Sequence, residues 1–368
     1  MSVNNEFDNL VRLGDYITQR REKNDNLDVP IRGVTNSGFI PPKQLDADTS
    51  LYNVFYKNDF VFNPARMELN SISLNLEYEQ AICSSLYEIF YVNNTEELLP
   101  EYLNLFIKRD EFARFCWYDA IGSARNYFRV VNLQEILFPL LDIDIQQEFV
   151  DTYNGLKALA EQNESLIKPL TEACQAYIID CKKNYPEVKL GDFIRVYDVK
   201  NVNSNNFPFC GINKDKTFMP TVADTNELDS SKYKIVEKDV FVFSGMQTGR
   251  DVCIRLALYT KSDSILVSPA YTTFVVKDKS EILPEFLFIQ FKRFEMDRYG
   301  SFLSDGSVRS NLDWDVFCNI MIPIPPSEVQ QAIVDIYNCT EEAKKIANES
   351  REKMKTICPA LVQKAINI

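Results

Sequence analysis

The sequence predicts an α+β protein built from two duplicated globular domains of mixed α/β structure, each followed by a long helix. Two observations lead to this fold class: an internal repeat with a period near 180 residues and two long heptad patterns. The length of 368 residues agrees with two or three domains. The predicted globular domains are 1–144 and 185–326, and the predicted helices are 145–184 and 327–368.

The repeat consists of segments that return in the same order. LGDYI at 13–17 returns as LGDFI at 190–194, and LPEYL at 99–103 returns as LPEFL at 283–287. We pair 59–62 with 239–242, an offset of 180 residues, and from about residue 87 the offset stays at 184. QQEFVDTYN at 146–154 and QQAIVDIYN at 330–338 share six of nine residues. An ordered series of this kind indicates a duplicated domain, because the period is too long for a solenoid.

Each copy begins with a part in which strands are expected. Short runs rich in aromatic and β-branched residues predict these strands. The runs lie at 54–62, 85–92, 233–244 and 270–276. A helical stretch is expected after each LPE motif.

The long helices are predicted from apolar residues with alternating spacings of three and four. The first seam is Phe149, Tyr153, Leu156, Ala160, Asn163, Ile167, Leu170, Cys174, Tyr177 and Cys181. The second seam is Ile333, Ile336, Thr340, Ala343, Ala347, Ser350, Met354, Ile357 and Leu361. We expect the two helices to pair as an antiparallel coiled coil in a pseudo-twofold molecule. The alternative is that each helix packs only on its own domain.

Local signals place the ends of these helices. Residues 327–330 read as a capping box, and Asp144 with Gln147 is expected to act similarly in the first copy. Pro169 predicts a kink and Pro359 a late break, because proline removes a helix hydrogen bond.

Composition excludes several classes of site. The chain has no histidine, which excludes Ser-His-Asp and Cys-His nucleophiles and histidine-ligated metals. Neither a P-loop nor a G-x-G-x-x-G motif occurs, and the nine cysteines include no C-x-x-C pair. We expect free thiols in a reducing cytoplasm, with no apolar run long enough for a membrane span and no secretory signal at the N-terminus.

The net charge of −13 argues against a nucleic-acid partner, because phosphate binding uses lysine and arginine. The charge is uneven: residues 1–144 carry 13 basic and 22 acidic residues, a net charge of −9. Net charge does not decide what a local patch binds.

Two polar, turn-rich segments follow the FVF runs and are able to leave a scaffold as loops. Their side chains are of the types that read base edges in the major groove. In the first copy the candidates are Asn63, Arg66 and Asn70, and in the second they are Ser244, Gln247 and Arg250. The alternative is that they are solvated loop residues.

Several basic residues recur between the copies and are candidates for a shared role. Arg125 and Arg309 recur within a G-S-x-R sequence, and Lys108-Arg109 recurs as Lys292-Arg293. That role is either contact with phosphate groups, which positions a protein without reading sequence, or an internal salt bridge.

The plan of domain, helix, domain, helix resembles the specificity (S) subunit of type I restriction-modification systems, over essentially the whole chain. The sharpest parts are VRLGDYI and VKLGDFI, and the segments at 122–150 and 306–334. The first of these segments departs from the second, with Leu141-Asp142 where the second has Pro325-Pro326.

The resemblance implies two target recognition domains, each reading one half of a bipartite double-stranded DNA sequence in phage defence. The helices would set the distance between the halves and dock two DNA adenine methyltransferase subunits, with restriction subunits joining in some complexes. S-adenosylmethionine, ATP and Mg²⁺ would then bind those partners only, and the S subunit would have no catalytic or metal site. Asn63-Pro64-Ala65-Arg66 begins like the Asn/Asp-Pro-Pro-Tyr/Phe motif of adenine methyltransferases but departs at its last two positions.

The sequence leaves three alternatives open. In the first, the chain is a bivalent scaffold or an acidic DNA mimic that binds no DNA. In the second, it is an enzyme of another type with duplicated domains. A fused restriction-methylation enzyme is a further alternative to a three-subunit complex.

Overall fold

The computed structural model describes residues 10–25, 28–42, 48–119, 127–221 and 228–366, with side chains of the last helix described as far as residue 357. The chain forms two compact units, Met1–Gln162 with Ile346–Ile368, and Asn163–Lys345. Each unit holds a globular part together with portions of two long helices. The predicted fold class is confirmed. The domain limits predicted at 144, 184 and 326 separate the globular parts from the helices and stay a prediction.

The first unit contains ten short strands among its described residues. They are β1 (Leu10–Arg12), β2 (Ile17–Arg20), β3 (Gly33–Thr35), β4 (Gly38–Ile40), β5 (Asn53–Tyr56), β6 (Phe60–Phe62), β7 (Ile72–Leu74), β8 (Gln80–Cys83), β9 (Glu88–Val92) and β10 (Leu137–Pro139). A four-stranded sheet has the order β2-β9-β6-β7, and the other pairs are β3-β4, β5-β8 and β1-β10.

Helices pack on one side of this sheet. They are α1 (Pro100–Ile107), α2 (Asp110–Asp119) and α3 (Val130–Gln134), with 3₁₀ turns at Leu13–Asp15 and Pro64–Leu69. Proline at the first position starts α1, where its missing N–H leaves no hydrogen bond unmade. The buried face of α1 joins the four-stranded sheet in one apolar core.

The second unit repeats this plan. Its strands are β11 (Glu187–Lys189), β12 (Ile194–Val196), β13 (Phe209–Ile212), β14 (Phe218–Pro220), β15 (Lys234–Val236), β16 (Phe241–Ser244), β17 (Arg255–Leu258), β18 (Ile265–Val267), β19 (Thr272–Val276) and β20 (Met321–Pro323). Its short helices are α5 (Leu190–Phe193), α6 (Thr248–Asp251), α7 (Pro284–Phe291), α8 (Phe294–Leu303) and α9 (Trp314–Cys318), with a 3₁₀ turn at Ser230–Lys232.

The sheet order in the second unit is β12-β19-β16-β17, which matches β2-β9-β6-β7 strand for strand. A second sheet has the order β14-β13-β18-β15, and β11 pairs with β20 as β1 pairs with β10. The predicted strand runs are confirmed, although 54–62 and 233–244 each contain two strands separated by a turn. The duplication is therefore present in the structure as well as in the sequence.

Strand pairing corrects one part of the sequence alignment. Phe60 pairs with Phe90 in the first unit and Phe241 pairs with Phe274 in the second. The paired rings stack at centroid distances of 4.7 Å and 4.8 Å. Phe60 therefore corresponds to Phe241, an offset of 181, and the offset of 180 was wrong. A slip of one residue would turn every side chain of the strand to the opposite face.

The long helices are α4 (Ile143–Asn184) and α10 (Ser327–Ile366). In the first unit Tyr153 of α4 and Met354 of α10 line one cavity. In the second unit Ile178 of α4 shares an apolar core with Ile333 of α10. The start of each helix thus lies beside the later part of the other, which is the predicted antiparallel arrangement.

The seam of α4 differs from its prediction near its end. Tyr177 is 51% exposed, whereas Ile178 is 1% exposed and follows Cys174 by four residues. Two successive spacings of four replace the predicted alternation, because a helix of 3.6 residues per turn drifts from a strict heptad. Both helices run on through Pro169 and Pro359, so the break predicted at Pro359 is wrong.

The predicted capping arrangements are also wrong. Asp142 lies before the first residue of α4, and its Oδ1 accepts from the Asp144 N–H at 3.2 Å. The Gln330 side chain does not cap the start of α10, because it is buried and its Oε1 accepts a hydrogen bond from the Leu283 N–H instead.

Gln330 and its counterpart Gln146 fasten each long helix to its globular part. The Gln330 Oε1 accepts from the Leu283 N–H at 2.8 Å, and its Nε2 donates to the carbonyls of Glu281 and Pro325 at 2.8 and 2.9 Å. Gln146 makes the same three bonds, to Leu99, Glu97 and Leu141. Gln146 and Gln330 are both fully buried. The glutamine recurs because its amide makes these three hydrogen bonds in both units.

Candidate nucleic-acid interface

The two predicted reading segments occupy the same place in their units. Each connects the third and fourth strands of its four-stranded sheet, β6 to β7 and β16 to β17. The connection is a 3₁₀ turn in the first unit and the short helix α6 in the second. One scaffold position therefore carries two different loops.

In the first unit only part of the predicted set faces solvent. Arg66 is exposed, while Asn63 is half-buried and its Oδ1 caps the turn by accepting from the Ala65 N–H at 3.1 Å. Asn70 is 5% exposed, adopts a left-handed backbone conformation and donates from Nδ2 to the Ile107 carbonyl at 2.9 Å. We withdraw Asn70 as a base reader, because its amide is committed inside the unit.

Arg66 lies at the edge of an open cavity of about 470 Å³. Its polar and aromatic lining includes Arg32, Tyr52, Asn63 and Tyr87. Burial raises the pKa of Tyr87, so this phenol stays neutral at physiological pH. The cavity combines guanidinium donors with flat aromatic rings, the groups that phosphates and bases contact.

In the second unit the loop presents Gln247 and Arg250 but not Ser244. Ser244 ends β16 and is 4% exposed, so it is withdrawn as a reader. The Arg250 Nη2 donates to the Gln247 Oε1 at 2.8 Å, and its Nε lies 3.4 Å from the Asp251 Oδ1. Burial alone would raise the pKa of Asp251, but Lys214, Arg250 and neighbouring Arg255 hold it below its ordinary value.

The recurring lysines are half-buried and donate to backbone carbonyls of the protein. Lys108 donates from Nζ to the carbonyls of Asn36 and Ile72, both at 2.6 Å, and Lys292 donates to the Asp215 carbonyl at 3.1 Å. Asn36 and Asp215 lie in the turns of the equivalent hairpins β3-β4 and β13-β14. Both lysines thus bond a hairpin turn to the helical part, and neither forms a salt bridge with a described residue. Their contact with phosphate groups stays a prediction.

The recurring arginines beside them are also engaged. Arg109 donates from Nε to the Phe106 carbonyl at 3.0 Å and lies over the Phe106 ring. Arg293 is 8% exposed, pairs with Glu295 at 3.2 Å, and has a buried Nη1 with no hydrogen-bond partner among the described residues. A buried guanidinium cannot grip a phosphate without rearrangement, so Arg293 is withdrawn as a contact.

Burial lowers the pKa of Lys108 to about 8 from an ordinary value of 10.5. Between these pH values the unfolded chain binds the proton that the folded chain has lost, so the native state gains stability as pH rises from 8 to 10.5. We compare the free energy of unfolding of the native chain with that of Lys108→Met, and we expect the native chain to gain relative to the variant between pH 7 and pH 10. Urea unfolding of both proteins at both pH values measures this, and the same difference between the two proteins at both pH values would contradict it.

The two G-S-x-R arginines have different outcomes. Arg125 lies outside the described residues. Arg309 is exposed in a turn that follows α8. The Asp305 Oδ1 organises this turn by accepting from the Ser307 hydroxyl at 2.6 Å and the Asn311 N–H at 3.0 Å, bonds that lower its pKa.

Apart from Tyr177, the residues predicted to form the seams of the two long helices are buried or half-buried where the structure describes them. Ile333 and Met354 are buried. The half-buried members of the set include Phe149, Tyr153, Leu156, Asn163, Ile167 and Ile336. The side chain of Leu361 lies outside the described part.

An exposed aromatic pair, absent from the residues predicted from sequence, lies beside each of these loops. Phe115 and Tyr118 on α2 are 41% and 74% exposed, and Tyr299 and Phe302 at the equivalent positions of α8 are 42% and 80% exposed. An exposed arginine precedes each pair, Arg114 and Arg298. α2 packs on the Pro64–Leu69 turn, as α8 packs on α6. The signal was present in the sequence, as aromatic residues that recur at the offset of 184.

No helix in the described part of the chain is long and apolar enough to cross a membrane. Among the same residues, no group of three or more cysteine, aspartate or glutamate side chains is arranged to hold a metal ion.

Comparisons with known proteins agree with this architecture. Residues 182–354 match the model of the type I restriction modification DNA specificity domain. A solved S subunit of a type I restriction-modification system from M. genitalium has the same fold, with a TM-score of 0.59 and 16% identity over 99% of this chain and 98% of that one. The HsdS subunit from Thermoanaerobacter tengcongensis aligns at 17% identity over 97% and 96%, with a TM-score of 0.39 that is too low to support an argument.

No curated protein matches the sequence. The family model covers residues 182–345 of the second unit and α10 as far as residue 354, and the alignment with the solved S subunit covers both units. Residues 182–354 thus carry a type I restriction modification DNA specificity domain, and the whole chain shares the fold of a solved S subunit of a type I restriction-modification system.

Proposed function

We propose that each unit reads one half of a bipartite double-stranded DNA target. The observation that supports this most is the pair of loops between the third and fourth sheet strands, which differ while their scaffold is the same. Two half-sites of different sequence require different readers at equivalent positions, and their spacing follows from the geometry of the protein.

The proposed contacts divide into two kinds. Arg66 in the first unit and Gln247 with Arg250 in the second are the base readers, because the two arginines are exposed in different loops and the half-buried Gln247 contacts Arg250. Arg114 and Arg298, each with its neighbouring aromatic pair, are the sequence-independent contacts, because they recur in both units. Phosphate contacts position a protein, and base contacts specify its site.

The long helices would set the distance between the half-sites and dock two DNA adenine methyltransferase subunits. Restriction subunits would join the same complex. In this proposal the chain is cytoplasmic and carries out no catalysis, and S-adenosylmethionine, ATP and Mg²⁺ bind the partners. The acidity of the chain fits such a division, since partners would supply much of the phosphate contact.

The test is to purify the tagged full-length chain from its host, identify its partners by mass spectrometry, and map methylated adenines by long-read sequencing. We expect about two methyltransferase copies per chain and one bipartite methylated motif. Replacing 244–250 with a glycine-serine loop should erase the sequence requirement in one half of the motif only. Recovery of the chain without a methyltransferase, and without binding to duplex DNA at low salt, would favour a scaffold or a DNA mimic.

A further inference from the structure

The contact between Gln247 and Arg250 limits what the second loop can recognise. A guanidinium has donors and no acceptor, so the amide group of Gln247 must turn its oxygen toward Arg250, 2.8 Å away. The amide nitrogen of Gln247 is then the free end of that side chain. Arg250 is more than half exposed, and a guanidinium carries five N–H groups, more than its contacts with these two oxygens use. The exposed edge of the pair consists of hydrogen-bond donors.

Asp251 keeps the pair in this orientation. Its carboxylate is 9% exposed and contacts Arg250, Arg255 and Lys214, so it anchors the guanidinium from the protein side. Because its pKa is lowered, it stays ionised through the physiological range. This carboxylate is largely buried and paired with three cationic side chains, so it does not compete as an acceptor at the exposed edge.

Residues 310–312 form hydrogen bonds with the 244–250 loop. The Asn311 Oδ1 accepts from the Gln247 N–H at 3.0 Å, and the Gly249 N–H donates to the Ser310 carbonyl at 2.9 Å. The Leu312 N–H donates to the Gly245 carbonyl at 2.8 Å. These bonds hold Gln247 in a left-handed conformation with a φ of 60°. A side chain that is fixed before binding loses less entropy when it binds.

We infer that Gln247 and Arg250 read a guanine in the half-site of the second unit, with Asn311 as the residue that positions the loop. Guanine offers two acceptors, O6 and N7, at its major-groove edge, whereas adenine offers N7 beside an amino donor. A donor-only edge matches the first pattern and opposes the second. This inference depends on the proposed function, since it names the base that the second loop would recognise.

The test is selection from a random duplex library by the full-length chain, purified with the subunits that it carries. We expect the native chain to enrich a bipartite motif with a guanine in one half. Arg250→Met should lose the preference at that position alone. Arg195→Met, which removes an exposed arginine of β12 outside the loop, is the charge-matched control and should keep the motif.

Replacing that guanine with 7-deazaguanine removes the N7 acceptor and leaves the other atoms of the base pair. We expect binding by the native chain to fall about tenfold or more, and binding by Arg250→Met to change little. Asn311→Ala should weaken the guanine preference without lowering the melting temperature substantially. Asn311→Asp should restore the preference, because its carboxylate still accepts from the Gln247 N–H.

The outcomes separate the inference from the function on which it depends. Enrichment of a bipartite motif in which Arg250→Met changes an adenine or thymine position, or no position, would overturn the guanine assignment and leave the proposed function standing. Failure of the native chain to enrich any motif would overturn both.

Discussion

Replacing Gln330 with leucine is expected to destabilise the second unit by about 3 to 5 kcal/mol. Leucine is apolar and slightly shorter, so it leaves the Leu283 N–H and the carbonyls of Glu281 and Pro325 without their partner. Each buried polar group left unpaired costs about 1 to 3 kcal/mol. The first of these groups stands at the start of α7 and the last just before α10, so the junction of globular part and helix should loosen.

The measurement is hydrogen exchange across α7 and the start of α10, together with thermal unfolding of the full chain. The neighbouring Gln331→Leu is a matched control, because Gln331 is exposed and bonds only to Asp335 of its own helix, at 2.8 Å. We expect a change within about 0.5 kcal/mol for that control. Equal exchange in the two variants would mean that the buried bonds contribute no net stability.

Replacing Gly245 with alanine is expected to displace the second reading loop and to destabilise its surroundings by about 3 kcal/mol. A Cβ atom at Gly245 would lie 1.9 Å from the Leu312 carbonyl oxygen. That oxygen belongs to backbone and cannot rotate away. The hydrogen bond from the Leu312 N–H to the Gly245 carbonyl should break as the two segments separate.

Gly306→Ala is the control for this change, since a Cβ atom there meets nothing within 4 Å. We expect Gly245→Ala to increase amide exchange at 245–250 and to weaken sequence selection in one half-site. Gly306→Ala should change neither quantity. Unchanged exchange in Gly245→Ala would contradict the prediction, because it would mean that the loop and the 305–312 segment stay together despite the added methyl group.

The recurrence of a residue proved easier to detect than its role. Lys108 and Lys292 recur because each holds a hairpin turn, and Gln146 and Gln330 recur because each ties a helix to its globular part. Sequence alone left phosphate contact and an internal salt bridge as equal alternatives for the lysines. The structure shows each lysine bonded to a backbone carbonyl of the β3-β4 or β13-β14 turn, and contact with phosphate groups stays a prediction.

The sequence by itself determined the duplication, the strand-rich part of each copy, and the long helices with most of their buried seams. These features depend on repeats and periodicities within a few turns of chain, which a sequence displays directly. Tertiary structure alone decided which polar residues remain accessible. The Asn70 amide binds a carbonyl 37 residues away, and the Lys108 ammonium binds one 72 residues away. Burial depends on such distant partners, so polar side chains are bonded inside the protein at some positions and exposed at others, as at Arg66 and Arg250.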